Sequence, residues 1–519
     1  MILLLALGAG ALACVLWVLP YRSFDLDRFF APKELALHAT ALIAGIAALA
    51  GARSFSLNRA DLALIAWLSI SAVSALFATN HPVAFRALTI SASSAVIFWS
   101  ARTAASAGFA PALTKVLALV VVIGALTGLA QAYGIKMEFA ALNRAPGGTF
   151  GNRNFMAHLT AAGLPLVLWC IAGARGKRGT IFWTVALGAC AAALVLSRTR
   201  AAWLAVAISV VLGGIVAFTG STLLENSAVR RRMTIALAAI GAGVLFAIVL
   251  PNSLDWKSDS PYLDSVRGVV DYQQGSGRGR VAQYENSAKM ALVHPVLGVG
   301  PGNWPVIYPK FASPNDPSLS ETTGMAANPW PSSDWVAAVS ERGVPAFLAL
   351  AAFVLMLLVG ALTARYDPGR EPHERLAALA GGGVVLIAAL EGAFDAVLLL
   401  PTPSIVVWAA AGALLTSDSE SGDAPRLNAR RLILAGAFAA FTFLACLFSA
   451  RRIQAMRLYE TSAIEAAAAK DAGSYRIQMR AADYFAGRGQ CAKARPHALV
   501  ARDLFPYSPG PRRVLSQCR

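Results

Sequence analysis

Stretches of about twenty uncharged, mostly apolar residues return again and again along this 519-residue chain, and short basic segments separate them. A helix needs about 20 such residues to cross a hydrocarbon core, because every peptide group in lipid must find its partner within its own helix. By that rule spans are expected near 2–20, 35–51, 61–79, 84–105, 112–133, 155–173, 180–197, 201–219, 233–251, 336–363, 375–399, 402–416 and 431–450. The stretch 402–416 is short and would also suit half of a re-entrant pair. The expected fold class is all-α: a polytopic membrane helical bundle of about 12–13 transmembrane helices. Only 14% of residues are charged, against about 25% in a soluble domain, as a lipid-facing surface requires. The opening MILLLALGAGALACVLWVLP lacks a basic leader and a clear cleavage site, and reads as a retained first helix.

Net charge is +17, from 45 Lys+Arg against 28 Asp+Glu. The basic clusters fall between spans, so topology accounts for most of them, and with no basic and aromatic module nucleic acid is not an expected partner. Arg175, Lys177 and Arg178 follow the sixth span, Arg230, Arg231 and Arg232 the eighth, Arg365, Arg370 and Arg375 the tenth, and Arg426, Arg430 and Arg431 the twelfth. If these are cytoplasmic, the N-terminus is cytoplasmic too. The loops 134–154, 197–200 and 252–335 and the tail from Arg451 then share the outer face. Cys14, Cys170, Cys190 and Cys446 lie in apolar runs as small core residues. Cys491 and Cys518 lie in the polar tail, where an oxidising compartment would permit a disulfide. No Cys/His set has metal-ligand spacing, so neither a metal nor another cofactor is expected. In the tail, Tyr484, Gly487, Ala494, Ala498, Ala501 and Pro506 are spaced like a degenerate tetratricopeptide unit. A solubilising helical tail is the plainer reading.

Four outer-face segments carry polar residues that lipid would not tolerate. In GGTFGNRNFMAHL (147–159), Asn152 and Asn154 offer amides at the head of a helix, as a cap or as part of an anion cradle. In LSRTRAAWLA (196–205), Arg198 and Arg200 stand on the outer side against the usual charge bias, either snorkelling or clamping a phosphate. In SGRGRVAQYENSAKMALVHPVLGVGPGNW (276–304), Arg278 and Arg280 open a helix whose Val281, Ala288, Ala291 and Leu292 suit the membrane interface. A Gly/Pro turn ending in Asn303 and Trp304 closes it. His294, before a proline, reads as a cap or turn residue. In NPWPSSDWVAAVSERGVPAF (328–347), Asp334 and Glu341 are seven apart and share a helix face near the interface, where a carboxylate is costly unless paired or functional. Glu391 and Asp395, one turn apart near the outer end of the eleventh span, would pair with the outer arginines or serve helix packing.

In that order these segments resemble the O-antigen ligase/polymerase superfamily, bacterial polytopic membrane glycosyltransferases that handle glycans on undecaprenyl pyrophosphate. The likeness covers roughly 110–415. It implies a GT-C-like bundle in the inner membrane over 1–450, with a large periplasmic loop at 252–335. The helical tail at 451–519 resembles the tetratricopeptide-like appendages of some members. It implies a lipid-linked oligosaccharide or polysaccharide donor, a glycan, lipid or protein acceptor, membrane lipids around the bundle, and periplasmic partners for the tail. Arg198, Arg200, Arg278 and Arg280 would grip the pyrophosphate without a metal. An acceptor hydroxyl would then displace the lipid carrier with inversion. Asn152, Asn154, Asn303, Trp304, Ser332 and Ser333 fall at the positions expected to shape the glycan site. One departure stands out: Ser332 and Ser333 occupy the family's His-Asn pair, and a serine is no base near neutral pH. Asp334 or Glu341 would have to substitute, or leaving-group departure would drive the reaction, or catalysis is altered. The alternative is a membrane scaffold or a lipid-glycan binding or transport protein of surface polysaccharide assembly.

Overall fold

The computed structural model describes all residues except 52–56, 136–144, 219–226, 257, 269–274, 321–322, 368 and 416–428. Among the described residues the fold is helical, with a single isolated bridge, Leu319 to Ala326, and no strand. Among those residues ten helices are long and apolar enough to cross a membrane, and three shorter apolar ones accompany them. In chain order these thirteen are α1 (Ile2–Leu16), α2 (Asp27–Gly51), α3 (Arg59–Leu76), α4 (His81–Ser106), α5 (Ala110–Ala132), α6 (Arg153–Ala172), α7 (Gly176–Ser197), α8 (Arg200–Phe218), α9 (Ser227–Val249), α14 (Val344–Ala364), α15 (Pro372–Glu391), α16 (Pro401–Leu414) and α17 (Ala429–Glu460). Between α9 and α14 come α10 (Pro261–Arg267), α11 (Gly275–Val293), α12 (Trp304–Ile307) and α13 (Asp334–Arg342). After α17 come α18 (Ile464–Lys470), α19 (Tyr475–Ala486), α20 (Cys491–Leu504) and α21 (Pro509–Gln517).

The order of hydrophobic elements follows the sequence expectation, and the departures lie at ends where charge interrupts an apolar run. The second helix starts at Asp27, not near 35, because buried Lys33 and Glu34 find partners inside the bundle. Lys33 Nζ donates to the carbonyls of Cys14 (2.9 Å) and Val15 (2.8 Å), two acceptors with no partner inside their own helix at the end of α1, and stands over the Phe150 ring. The expected span 336–363 divides into α13 and α14 at Gly343, whose φ is +85°. A β-carbon there would stand 2.1 Å from the Val296 carbonyl oxygen, so only glycine lets the Gly/Pro turn pack against this corner. The eleventh span ends at Glu391, earlier than expected, and 392–400 is a loop between α15 and α16. Every residue of α16 is buried. A helix wrapped by protein rather than lipid need not be long.

The end of α1, the start of α2, the α7–α8 corner, the 252–335 segment and the α15–α16 loop meet at one face. The basic residues after α6 and α14, and Arg230, Arg231 and Arg232 in the first turns of α9, lie at the opposite helix ends. Arg426 lies outside the described residues, as do the side chains of Arg430 and Arg431. The 252–335 segment has a small core of its own, where Met290, Trp304, Val306, Ile307 and Tyr308 pack together. Asp316 fixes it by accepting from Tyr308 Oη and Asn286 Nδ2, each at 2.8 Å. On α11, Val281, Leu292 and Val293 remain exposed, as an interfacial helix requires.

Helix α17 runs unbroken to Glu460, so the expected boundary at 450/451 falls within one helix. The tail beyond it packs back on the bundle. Leu19, Phe24 and Ala31 share a core with Ala455, Met456, Ala467, Ala468, Ile477 and Ala481. Arg452 bonds both Asp27 and Glu34, while Asn80 Nδ2 donates to the Leu504 carbonyl at 3.1 Å. Cys491 and Cys518 form a disulfide that joins α20 to the end of α21.

Candidate active site

Where the loops meet, they enclose a cavity of about 580 Å³, within the range usual for ligand sites. Arg153 comes from the first turn of α6, Arg198 from the end of α7, Arg200 from the start of α8 and Arg280 from α11. Four guanidinium groups thus face one carboxylate, Asp395, among the described lining residues. Such an imbalance in a recess selects for an anion, and planar guanidinium forks suit phosphate oxygens.

Local structure aims these arginines. Arg198 takes a left-handed conformation, φ +53°, closing α7 and starting the two-residue corner that places Arg200 at the head of α8. Arg198 Nε donates to Ser265 Oγ at 2.9 Å, and its guanidinium lies 5.0 Å from the Trp256 ring centroid. Arg200 donates to the Gly268 carbonyl. Burial lowers the pKa of Arg198, opposed by Asp264 and Tyr262. Asn152 caps α6 by accepting from the Asn154 N–H at 3.0 Å. The Asn154 amide then bridges two walls, accepting from Thr199 Oγ1 (3.2 Å) and donating to Asp395 Oδ2 (3.0 Å).

Behind Asp395 lies a buried polar group. His158 of α6 contacts Glu391 Oε1 through Nδ1 (3.1 Å) and Asp395 Oδ2 through Nε2 (3.3 Å). Burial alone would raise the Asp395 pKa. The hydrogen bond and charge of His158, with the charge of Arg280, more than offset this and hold it below the ordinary carboxylate range. His158 and Arg153 stand inside the 147–159 segment without having been singled out from sequence. The available signal was a histidine one turn after Asn154 in an otherwise apolar helix.

Arg198, Arg200, Arg280, Asn152, Asn154 and Ser332 line the cavity together. The other expected site residues do not join them. Arg278 is exposed, away from the lining. Asn303 is buried between the Asn80 backbone and the Pro301 carbonyl, and Trp304 is buried with its Nε1 donating to Ser287 Oγ at 2.7 Å. Ser333 caps α13, accepting from Val336 N–H, and donates to the Gly392 carbonyl. Asp334 accepts from the backbone N–H groups of Val397, Leu398 and Leu399 at 2.8–3.3 Å, which anchors the loop bearing Asp395. Glu341 accepts from Gly302 N–H (2.8 Å) and Trp304 N–H (3.3 Å), pinning the glycine-rich turn. Burial pushes both carboxyls up to about 7, against the pull of those N–H groups. Neither lines the arginine cavity.

Residues 185–351 match the protein-family model described as O-antigen ligase. No curated protein matches the chain.

Proposed function

We propose that this chain, whose residues 185–351 match the O-antigen ligase family model, transfers a glycan from undecaprenyl pyrophosphate to an acceptor hydroxyl at the outer face of a bacterial inner membrane. The family match supports a glycan-transfer role in surface polysaccharide assembly. The observation that carries the finer reading is the convergence of Arg153, Arg198, Arg200 and Arg280, from three separate stretches of chain, on one cavity. The basic loops at the opposite helix ends and the Cys491–Cys518 disulfide favour a periplasmic cavity and tail.

In this reading the arginines hold the two phosphoryl groups and stabilise the charge that grows as the bond from the anomeric carbon to the phosphate oxygen breaks. The acceptor oxygen forms the new bond to that carbon from the opposite side, so configuration inverts. Its proton passes to a carboxylate on the cavity wall, and undecaprenyl pyrophosphate leaves. Asp395 is that carboxylate. It faces the cavity, is held ionised, and stands on a loop that Asp334 positions. It takes the role that Ser332, at the family's histidine position, is unable to play. A second reading, a lipid-glycan binding protein without transfer, is favoured by Ser332 alone.

The test is a deletion strain complemented with wild type, Arg280→Ala or Asp395→Asn, with the lipid-linked saccharide pool and surface glycan both measured. The transferase reading expects the lipid-linked pool to rise and surface glycan to fall with either variant at normal protein level. Unchanged surface glycan in both would refute it.

A further inference from the structure

The arginine cavity takes one wall from a loop that has little of its own to hold it in shape. Residues 318–320 pair back on 325–327. Ala327 N–H donates to the Ser318 carbonyl and Ser320 N–H to the Met325 carbonyl, each at 2.8 Å, around the single Leu319–Ala326 bridge. Both arms of this hairpin lead into the cavity, where Pro317, Ser318, Ala327, Asn328, Pro329 and Trp330 line it. Ser318 Oγ also donates to the Gly279 carbonyl at 3.2 Å, next to Arg280. A two-stranded pairing this short is marginal by itself in water, so the shape of the wall depends on what packs around it.

The tail packs there. The hairpin's end at Gly324, φ +63°, stands against the corner between α20 and α21, where a β-carbon on Gly324 would lie 3.0 Å from Pro509 Cγ. Phe505, in the same corner, packs on the core of Met290, Trp304 and Tyr308, and so do Leu319 and Ala326 from the hairpin. Met290 belongs to α11, the helix that carries Arg280. The Tyr475 ring backs Phe505, with 4.6 Å between centroids, and the Asn80 bond to the Leu504 carbonyl ties the corner to the head of α4. No residue of the corner lines the cavity itself.

We propose that Phe505 and Pro509 are positioning residues for the donor cavity: from the tail they hold the hairpin that forms its wall, so that tail docking and donor binding favour each other. This rests on the transferase reading above and adds a means of regulating its site. The linkage runs both ways. Whatever draws the tail off the hairpin weakens the hold on the donor, and a bound donor tightens the tail.

The test uses the full chain in nanodiscs, with undecaprenyl pyrophosphate as the probe. Hydrogen exchange is followed in 317–330 and in 504–510, with and without the probe. Affinity is measured for wild type, Phe505→Leu, Phe505→Ala and Pro509→Ala. In wild type the probe should slow exchange at least threefold in both segments, although 504–510 contributes nothing to the cavity lining. Affinity should fall fivefold or more in Phe505→Ala, fall less in Pro509→Ala, and stay within twofold of wild type in Phe505→Leu, which keeps the apolar bulk. Protection confined to 317–330 in wild type would overturn the proposal, even where Phe505→Ala is too unstable to assay. So would wild-type affinity in a folded Phe505→Ala. Failure of the wild-type chain to bind undecaprenyl pyrophosphate would instead overturn the donor reading, and this one with it.

Discussion

Arg280→Ala removes one of the four guanidinium groups that line the large cavity and leaves the protein's packing almost untouched, because Arg280 is only half-buried. Arg198 is braced by Ser265 and Trp256, and Arg200 by the Gly268 carbonyl, so neither is free to swing across and replace it. Removing one preorganised donor aimed at charge that develops in the transition state costs about 2.7–4 kcal/mol, or roughly 10²–10³ in rate. With three arginines left to share that charge, the lower end applies, about a hundredfold. Arg280→Lys retains the charge and loses the two-pronged geometry. One charge-assisted hydrogen bond, about 1.5 kcal/mol, then sets the loss at roughly tenfold. Initial rates in membrane vesicles supplied with the strain's own lipid-linked saccharide give both numbers, normalised to protein by immunoblot. Rates for Arg280→Ala within threefold of an active wild type would refute the idea that these guanidinium groups stabilise the departing pyrophosphate.

Asp395→Asn keeps the Asn154 contact within reach but removes the proton acceptor. Undecaprenyl pyrophosphate binding should persist while the transfer rate drops by about 10² or more; equal loss of both would mean the residue shapes the donor site. Asp334 and Glu341, with folded-state pKa values near 7, keep protons that the unfolded chain has already released above about pH 4. The folded state therefore gains stability as pH falls from 8 toward 5, and the thermal midpoint of detergent-solubilised protein should rise over that window. A midpoint that falls instead would contradict the burial of these two carboxyls. Cys518→Ser opens a loop of 27 residues, worth about 3.5 kcal/mol in the chain-entropy account. Limited proteolysis should then cut within 475–519 faster than in wild type, and an unchanged cleavage rate would contradict the bridge.

Length and apolarity made the helices legible in order, since lipid enforces both. What pattern did not reveal was where charge goes inside. Lys33 and Glu34 read as loop residues, yet they sit within α2 because α1 carbonyls, Arg86 and Arg452 come to them from elsewhere in the chain. The same limit governed the site. Arg198, Arg200 and Arg280 were readable as basic residues on the wrong side of the charge bias. The fate of Asp334 depended on the α15–α16 loop, more than sixty residues later, wrapping its amides around the carboxylate. His158 was hidden for the same reason: both its carboxylate partners lie more than two hundred residues away in sequence.

Arg452 stands near the C-terminal end of α17, beside the tail, and yet reaches Glu34 in α2. Cutting the chain just before it would strip a buried carboxylate of one of its two cations and uncover Leu19, Phe24 and Ala31. A shortened protein would thus lose activity through damage to its own architecture, even if the removed helices had never met another molecule. Point changes on the outward side of α20, which leave Arg452 in place, are the cleaner way to ask whether the appendage recruits anything.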